Sequence, residues 1–390
     1  MGYRKNIMIE QGERGYGEVP NKYVCYKCFK EDGIRNYIKN NGERYTCSYC
    51  KQQYKAVHLE KIIKHIIDSL HSEWKDPVNN SPYESKEGGY INNYLYDTYD
   101  LLLYEEPINV NDIELFNDIV NAITQELWAR DFAVPFEDEE LKYEWDSFIK
   151  YVQHRMRFGV FCKDKILYPI KEIVHIIEKL NMETIMQPIK IYRVRGSKDK
   201  SDFSDAKKMG TVPPKDAIQA NRMSPAGIAM FYGAFNKKTA LSEIDYGNIN
   251  YVHYATFVPS REMVLIDFSK KMVIPSIYDE KSGKLKKYYR FMDSYINDFR
   301  KPINRDGSEH IGYIPTQIIT EYLRYNYKIN GESIDGIIYN SSVCNNGKAI
   351  VLFVDNKNCI NENNIDIISN ESNLYLKMVD YKIKKITHKV

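Results

Sequence analysis

The chain has 390 residues, 43% of them hydrophobic and 28% charged, with a formal net charge of +2. That length supports two or three domains with cores of their own, and the composition excludes a disordered chain. Charge so near balance decides nothing about nucleic acid, no strongly basic domain stands out, and no apolar run approaches the length that crosses a bilayer.

The opening stretch, MGYRKNIMIEQGERGYGEVP, has no long apolar segment, so no secretory signal is expected and the cytoplasm is the default location. Asn6 stands where myristoylation favours Ser or Thr. Four of the seven cysteines then form Cys25-x-x-Cys28 and Cys47-x-x-Cys50, separated by 18 residues. This spacing predicts a zinc ribbon over residues 20–55, with zinc as a structural cofactor held by four thiolates and the spacer folded back as a hairpin or helix. The competing pair of disulfides is disfavoured in a reducing compartment. Lys27, Lys30, Arg35, Lys39 and Arg44 are interspersed with Glu31, Asp32 and Glu43, which weakens a nucleic-acid role for the ribbon. Cys162, Cys344 and Cys359 read as ordinary free thiols.

Residues 56–185 read as helical. Leu59, Ile62, Ile63, Ile66, Ile67 and Leu70 repeat at helical spacing, which predicts an amphipathic helix over 58–70. His58, His65 and His71 fit no tight ligand pair and are expected to be solvated or at the core edge. Residues 72–90 carry Pro77, Asn79-Asn80, Ser81-Pro82 and Gly88-Gly89 and read as a linker or long loop. Further helices are expected over 112–129, 138–156 and 170–180.

Residues 186–390 alternate strand-like and helical stretches, which implies an α+β domain. Strands are expected at 189–195, 251–257, 263–267, 336–339, 349–354 and 375–388, and helices at 287–299 and 316–327. Residues 196–214 are polar and read as a mobile surface loop. Within this domain, Asn221 to Ile244 stands out. Pro225-Ala226-Gly227 is a turn, Ile228–Phe231 a short strand ending at Tyr232, and Asn236 an N-cap for a helix reaching Ile244. Arg222, Tyr232 and Glu243 are the exceptions to its apolar pattern, one on each part, and such a unit can bring three side chains to one cleft. Taken alone, they read as an ion pair beside an edge tyrosine. No Gly-x-Gly-x-x-Gly follows a strand and no Gly-x-Ser-x-Gly elbow occurs, so neither a Rossmann unit nor a serine hydrolase of that type is expected.

The ordered blocks Ile191-Tyr192-Arg193-Val194-Arg195, Arg222, Phe231-Tyr232-Gly233-Ala234, Thr239-Ala240, Glu243, Ile314-Pro315-Thr316-Gln317 and Asp335 to Ser342 resemble the RES domain family. The paired cysteines, the helices and Gln153 to Phe158 resemble the HEPN-type region attached to RES domains. HEPN ribonucleases place a His four to six residues after an Arg on one helix, and no Arg in this region has one, which speaks against RNA cleavage.

The RES resemblance implies a fold related to ADP-ribosyltransferases, with NAD as substrate in a cleft between sheet elements. The implied protein is a toxin-like enzyme that cleaves NAD by hydrolysis, phosphorolysis or ADP-ribosyl transfer. Loss of nicotinamide leaves an oxocarbenium-like ribose, which a carboxylate stabilises, and Glu243 is the candidate. Arg193, Arg195 and Arg222 are candidates for gripping the pyrophosphate. Tyr232 would stack on the nicotinamide, and Ser341 or its neighbour Ser342 would hydrogen-bond the ligand. Each has a plainer alternative: Arg193 or Arg195 as an outward strand residue, Arg222 and Glu243 as the ion pair beside Tyr232, and the serines as turn formers before Asn345-Asn346-Gly347. The family's short members are held off by an antitoxin. The longer N-terminal region suggests regulation within the chain, a phage-derived trigger, or a dimerising role. The alternative functions are nucleic-acid binding or RNA processing by the ribbon and helices, and sensing of NAD or ADP-ribose without turnover.

Overall fold

The computed structural model describes residues 9–386 apart from 87, 131–136, 160–163, 245–246, 248, 301–307 and 364–372. Cys162 and the end of the strand expected over 375–388 lie outside the described residues. The chain divides into two compact units, Met1–Glu140 with Val273–Arg290, and Leu141–Met272 with Phe291–Val390.

In the first unit, β1 (Tyr23–Cys25), β2 (Glu43–Thr46) and β3 (Gln53–His58) form an antiparallel sheet in the order β1-β3-β2. The spacer between the cysteine pairs holds helix α1 (Asp32–Asn41), started by the Glu31 carboxylate, which accepts from Gly33 N at 2.9 Å and Ile34 N at 2.6 Å. Helix α2 (Leu59–Leu70) buries its whole predicted stripe, from Leu59 to Leu70. His65 departs from expectation. It lies in the core, stacked on Tyr37 at 4.0 Å, with Nε2 2.9 Å from the Tyr278 carbonyl oxygen. Helix α3 (Ile113–Ala122) is shorter than the expected 112–129, because Ile123 turns extended and Leu127–Ala129 pairs as a strand with Leu95–Asp97. Trp128, fully buried, anchors that pairing by donating to Thr98 Oγ1 at 2.8 Å. The stretch expected as a loop over 72–90 contains a helical turn, Pro77–Asn80, and a two-residue hairpin pairing Tyr83–Glu84 with Gly89–Tyr90.

Residues 273–290 are built into this first core although they come from late in the sequence. Tyr278 is buried, and its hydroxyl donates to the Glu106 carbonyl at 2.6 Å. Gly33 is needed against this segment, since a Cβ there would come within 2.6 Å of Tyr278 backbone. Lys286 Nζ sits 2.9 Å from Glu106 and 3.4 Å from Glu73, while Arg130 and Arg290 each approach Glu73 at 3.3 Å. Every cation of this buried cluster thus has a carboxylate, as burial of charge requires.

Helices α4 (Glu137–His154, from Leu141 on) and α5 (Asp164–Lys179) fall in the second unit, where Trp145 packs edge-on against Tyr295 at 5.1 Å. Its sheet has nine strands: β4 (Glu183–Met186), β5 (Ile191–Ser197), β6 (Phe231–Ala234), β7 (Tyr251–Pro259), β8 (Met263–Asp267), β9 (Gly336–Asn340), β10 (Lys348–Leu352), β11 (Cys359–Asn361) and β12 (Leu376–Lys385). They run in the order β11-β12-β7-β5-β6-β10-β9-β8-β4, mixed parallel and antiparallel. One face carries the core of Ile191, Phe231, Phe257, Leu265, Ile338, Ile350 and Leu352. Helices α6 (Lys237–Ser242), α7 (Lys286–Arg300) and α8 (Ile314–Tyr325) complete the elements used below. The residues expected as a surface loop over 196–214 are instead partly structural. They hold a helical turn, Ala206–Met209, and the buried Thr211, whose hydroxyl donates to the Val354 carbonyl at 2.7 Å.

Among the described residues no helix is long and apolar enough to cross a membrane.

Candidate functional site

The site begins where the sheet splits. Strand β5 is fully paired with β7 on one side, but on the other it meets β6 at a single pair, Tyr192 with Ala234. Beyond that point the two strands part, and backbone groups of a split ladder need other partners. Arg193 supplies one of them, and together with Arg195, two apart on β5, it ties the strand to the end of the Ala206–Met209 turn. Arg193 Nε donates to the Met209 carbonyl at 2.8 Å and Nη1 donates to the Tyr232 carbonyl, while its guanidinium lies 5.0 Å from the Phe231 ring centre. Arg195 Nε donates to Met209 O at 3.1 Å and Nη2 to Gly210 O at 2.6 Å. Neither arginine forms an ion pair among the described residues, and Nη2 of Arg193 and Nη1 of Arg195 take no protein partner there. Burial, and for Arg193 also repulsion from Arg195, pulls both guanidinium pKa values below the ordinary arginine range.

The split opens a cleft of about 830 Å³, within the size range of small-molecule and cofactor sites. Arg193, Arg195, Arg222, Tyr232, Glu243 and Ser342 all line it, with Tyr313 and Tyr339 beside them. The Asn221–Ile244 stretch supplies three of these. Gly227, at φ +86°, makes the predicted turn. The strand lies slightly later than expected, Phe231–Ala234, so Tyr232 sits inside it rather than after it. Tyr232 shares a hydrogen bond of 3.0 Å between its hydroxyl and Ser224 Oγ, and burial pushes its phenol up to about 12. Asn236 caps α6 as expected, accepting from Thr239 N at 2.8 Å. The helix ends at Ser242, and Glu243 caps its C-terminus, at the cleft wall.

Glu243 is held by Ser341, whose Oγ donates to the carboxylate at 2.6 Å while accepting from Val343 N and Cys344 N. Ser341 is buried and does not line the cleft; its exposed neighbour Ser342 does. The serine expected on the ligand is thus placed behind the carboxylate, fixing its direction. Arg222 Nη1 donates to the Phe299 carbonyl, and its guanidinium faces the Tyr313 ring at 6.0 Å. Burial lowers its pKa, and Tyr313, Tyr339 and Glu243 act in the opposite sense. The loop bearing it is pinned from α8: Thr316 Oγ1 lies 2.5 Å from Arg222 O, and Gln317 Nε2 donates to Asn221 O at 2.8 Å. The sequence reading gave these two residues no role. Their signal was polar side chains inside an apolar helical stretch, and both are buried.

Residues 190–370 match the family model of the RES domain, and residues 40–165 match that of the HEPN/RES N-terminal domain 1. This chain is a RES domain protein. No curated protein and no solved structure matches it.

The RES domain protein carries a second group of functional type in its first unit. Cys25, Cys28, Cys47 and Cys50 bring their sulfurs within 4.8 Å of one another, three of the four buried. The measured separations are 3.8 Å for Cys25–Cys28, 3.6 Å for Cys25–Cys50 and 3.6 Å for Cys28–Cys47. Four sulfurs placed tetrahedrally about 2.3 Å from one zinc ion would lie about 3.8 Å apart, so the set fits zinc. The spacing is far from the S–S bond of a disulfide. Cys344 and Cys359 are buried free thiols. His253, also buried, bridges Ser197 Oγ and the Tyr381 hydroxyl, each at 2.8 Å, and burial lowers its pKa.

Proposed function

We propose that the cleft binds NAD and breaks its nicotinamide–ribose bond. One observation carries this reading. A carboxylate fixed in direction, Glu243 on Ser341, shares a cleft with two guanidinium groups that have no carboxylate of their own among the described residues. Half-buried cations without a counter-charge favour an anionic ligand, and the pyrophosphate of NAD supplies two charges in forked geometry.

The bond breaks with its electron pair leaving on nicotinamide, and positive charge builds on the ribose carbon and ring oxygen. Glu243 stabilises that charge, and Ser341 keeps it from rotating away. The phenol of Tyr232, protonated through the physiological range, offers a flat face and a donor to the nicotinamide. Arg193 and Arg195 hold the pyrophosphate, Arg222 and Ser342 complete the wall, and capture of the ribosyl cation by water, phosphate or a protein side chain decides among hydrolase, phosphorylase and transferase. The reading extends to a fold related to ADP-ribosyltransferases and a toxin-like role in toxin–antitoxin or phage-defence systems. An antitoxin or a phage-derived trigger would be its regulator, a homodimer its assembly and the cytoplasm its location. The four cysteines, read as a zinc ribbon, would hold a structural ion only.

The test is NAD loss by the full-length chain with and without phosphate, resolved by product mass. Nicotinamide with ADP-ribose, or with ADP-ribose-1″-phosphate, or label on protein, each supports bond cleavage and names the acceptor. Absence of nicotinamide under all conditions overturns the proposal.

A further inference from the structure

A second hollow of about 380 Å³ lies along the same strand as the cleft, and the segment Tyr192–Val194 lines both. Its floor is a sheet face built by cross-strand rows. Val194, Tyr254 and Lys382 are consecutive partners across β5, β7 and β12, with Tyr192, Thr256 and Asp380 in the next row. Two tyrosine rings therefore lie on one outward face, and Lys237 of α6 places its ammonium 5.6 Å from the Tyr192 ring centre. Lys382 and Lys384 stand exposed on the far rim. Against these three lysines the hollow offers one carboxylate, Asp380, 3.8 Å from Lys382. Aromatic faces under an excess of positive charge suit a flat base carrying phosphate.

Position narrows the occupant. Helix α6 runs from Lys237 at this hollow to Glu243 at the cleft, and at the helical rise of about 1.5 Å per residue the two ends lie about 9 Å apart. That is a distance a pyrophosphate-linked pair of ribosides spans, and the shared strand between the two hollows carries Arg193.

We infer that this hollow is the adenosine subsite. The adenine stacks on Tyr192 and Tyr254, and the lysines draw in the adenosine-side phosphate. The inference rests on the reading of the cleft as an NAD site, and adds where the half of the substrate remote from the reacting bond is recognised.

The experiment compares cleavage of NAD with cleavage of nicotinamide mononucleotide, which has the same scissile bond and no adenosine half. It uses the full-length wild type, Tyr254→Ala and the double variant Lys382→Glu/Lys384→Glu. Loss of one stacking face is expected to lower the ratio of kcat/KM for NAD over the mononucleotide about tenfold. The exposed lysines can change without disturbing the core, so the double variant should lower the same ratio in a folded protein, with its melting curve as control. An unchanged ratio in both variants, with NAD still cleaved, overturns the inference and leaves the cleft reading standing. Failure of the wild type to release nicotinamide from either compound defeats the cleft reading, and this inference with it.

Discussion

Two regions of this molecule bury charge in opposite ways. In the first unit, Lys286, Arg130 and Arg290 surround Glu73 and Glu106, and each cation finds a carboxylate within 3.9 Å. In the cleft, Arg193 and Arg195 make their hydrogen bonds to backbone carbonyls alone among the described residues. The first arrangement is complete without a ligand and belongs to folding. The second has no carboxylate among the described residues, and the anion of the proposed ligand would supply that charge. The cysteine cluster is the mirror case: four thiol groups whose spacing asks for a cation. Burial alone therefore does not separate structural from functional charge. Pairing does.

The largest expected effect tests the cysteine cluster. Structural zinc contributes about 10 kcal/mol or more to the folding of small modules. Chelation, or Cys28→Ser, should unfold the first unit, read as lost near-ultraviolet circular dichroism and release of one zinc per chain. A protein purified without zinc and melting at the same temperature after chelation would remove the metal from the account.

The next effect is catalytic. Glu243→Gln keeps size and a hydrogen bond to Ser341 but removes the negative charge, so NAD cleavage should fall about 10²- to 10³-fold with an unchanged melting temperature. Ser341→Ala tests positioning: kcat should fall while KM for NAD stays within about twofold, because the serine holds the carboxylate and lies outside the cleft lining. A rise in KM alone would put Ser341 on the substrate instead.

A paired experiment then strikes the comparison directly. Glu106→Ala leaves Lys286 buried beside a lost partner and should cost about 3–5 kcal/mol of stability. Arg193→Met removes an uncompensated cation but also leaves the Met209 and Tyr232 carbonyls without that partner, so it should cost less stability than Glu106→Ala while NAD binding weakens about 30-fold or more. If Arg193→Met instead destabilises as much as Glu106→Ala, the arginine is a structural plug of the split sheet and the contrast fails.

What the sequence disclosed follows the range of the interactions involved. The cysteine spacing, the Asn236 cap, the Gly227 turn and the apolar stripe of α2 are local, and local chemistry dictates them. Arg222, Tyr232 and Glu243 were legible as polar exceptions in an apolar stretch, and Arg193 through the strand block that resembles the family pattern. The rest depends on partners far away in the chain. Residues 273–290 join the first unit through Tyr278 with Glu106 and His65, contacts spanning more than 170 positions. Helix α4 joins the second unit through Trp145 on Tyr295. The hollow beside the cleft exists only because Val194, Tyr254 and Lys382 come into register across three strands. Ser341 and Ser342 could not be told apart, since one residue of register decides which of them lines the cleft.

The smallest effect concerns protons. His65 is buried in the first unit, and burial lowers its pKa below the usual value of 6.5. His253 is buried in the second unit and is lowered for the same reason. For both, the unfolded chain takes up a proton more readily than the folded one. Their contribution is therefore fully present above pH 6.5 and is lost as pH falls below it toward the lowered folded values. Thermal melts between pH 7.5 and 5 should show stability declining on the acid side. Replacing His65 by Gln, which can still donate to the Tyr278 carbonyl, should flatten the part of that decline belonging to the first unit. A decline of equal steepness in His65→Gln would assign the acid sensitivity to His253 and the second unit alone.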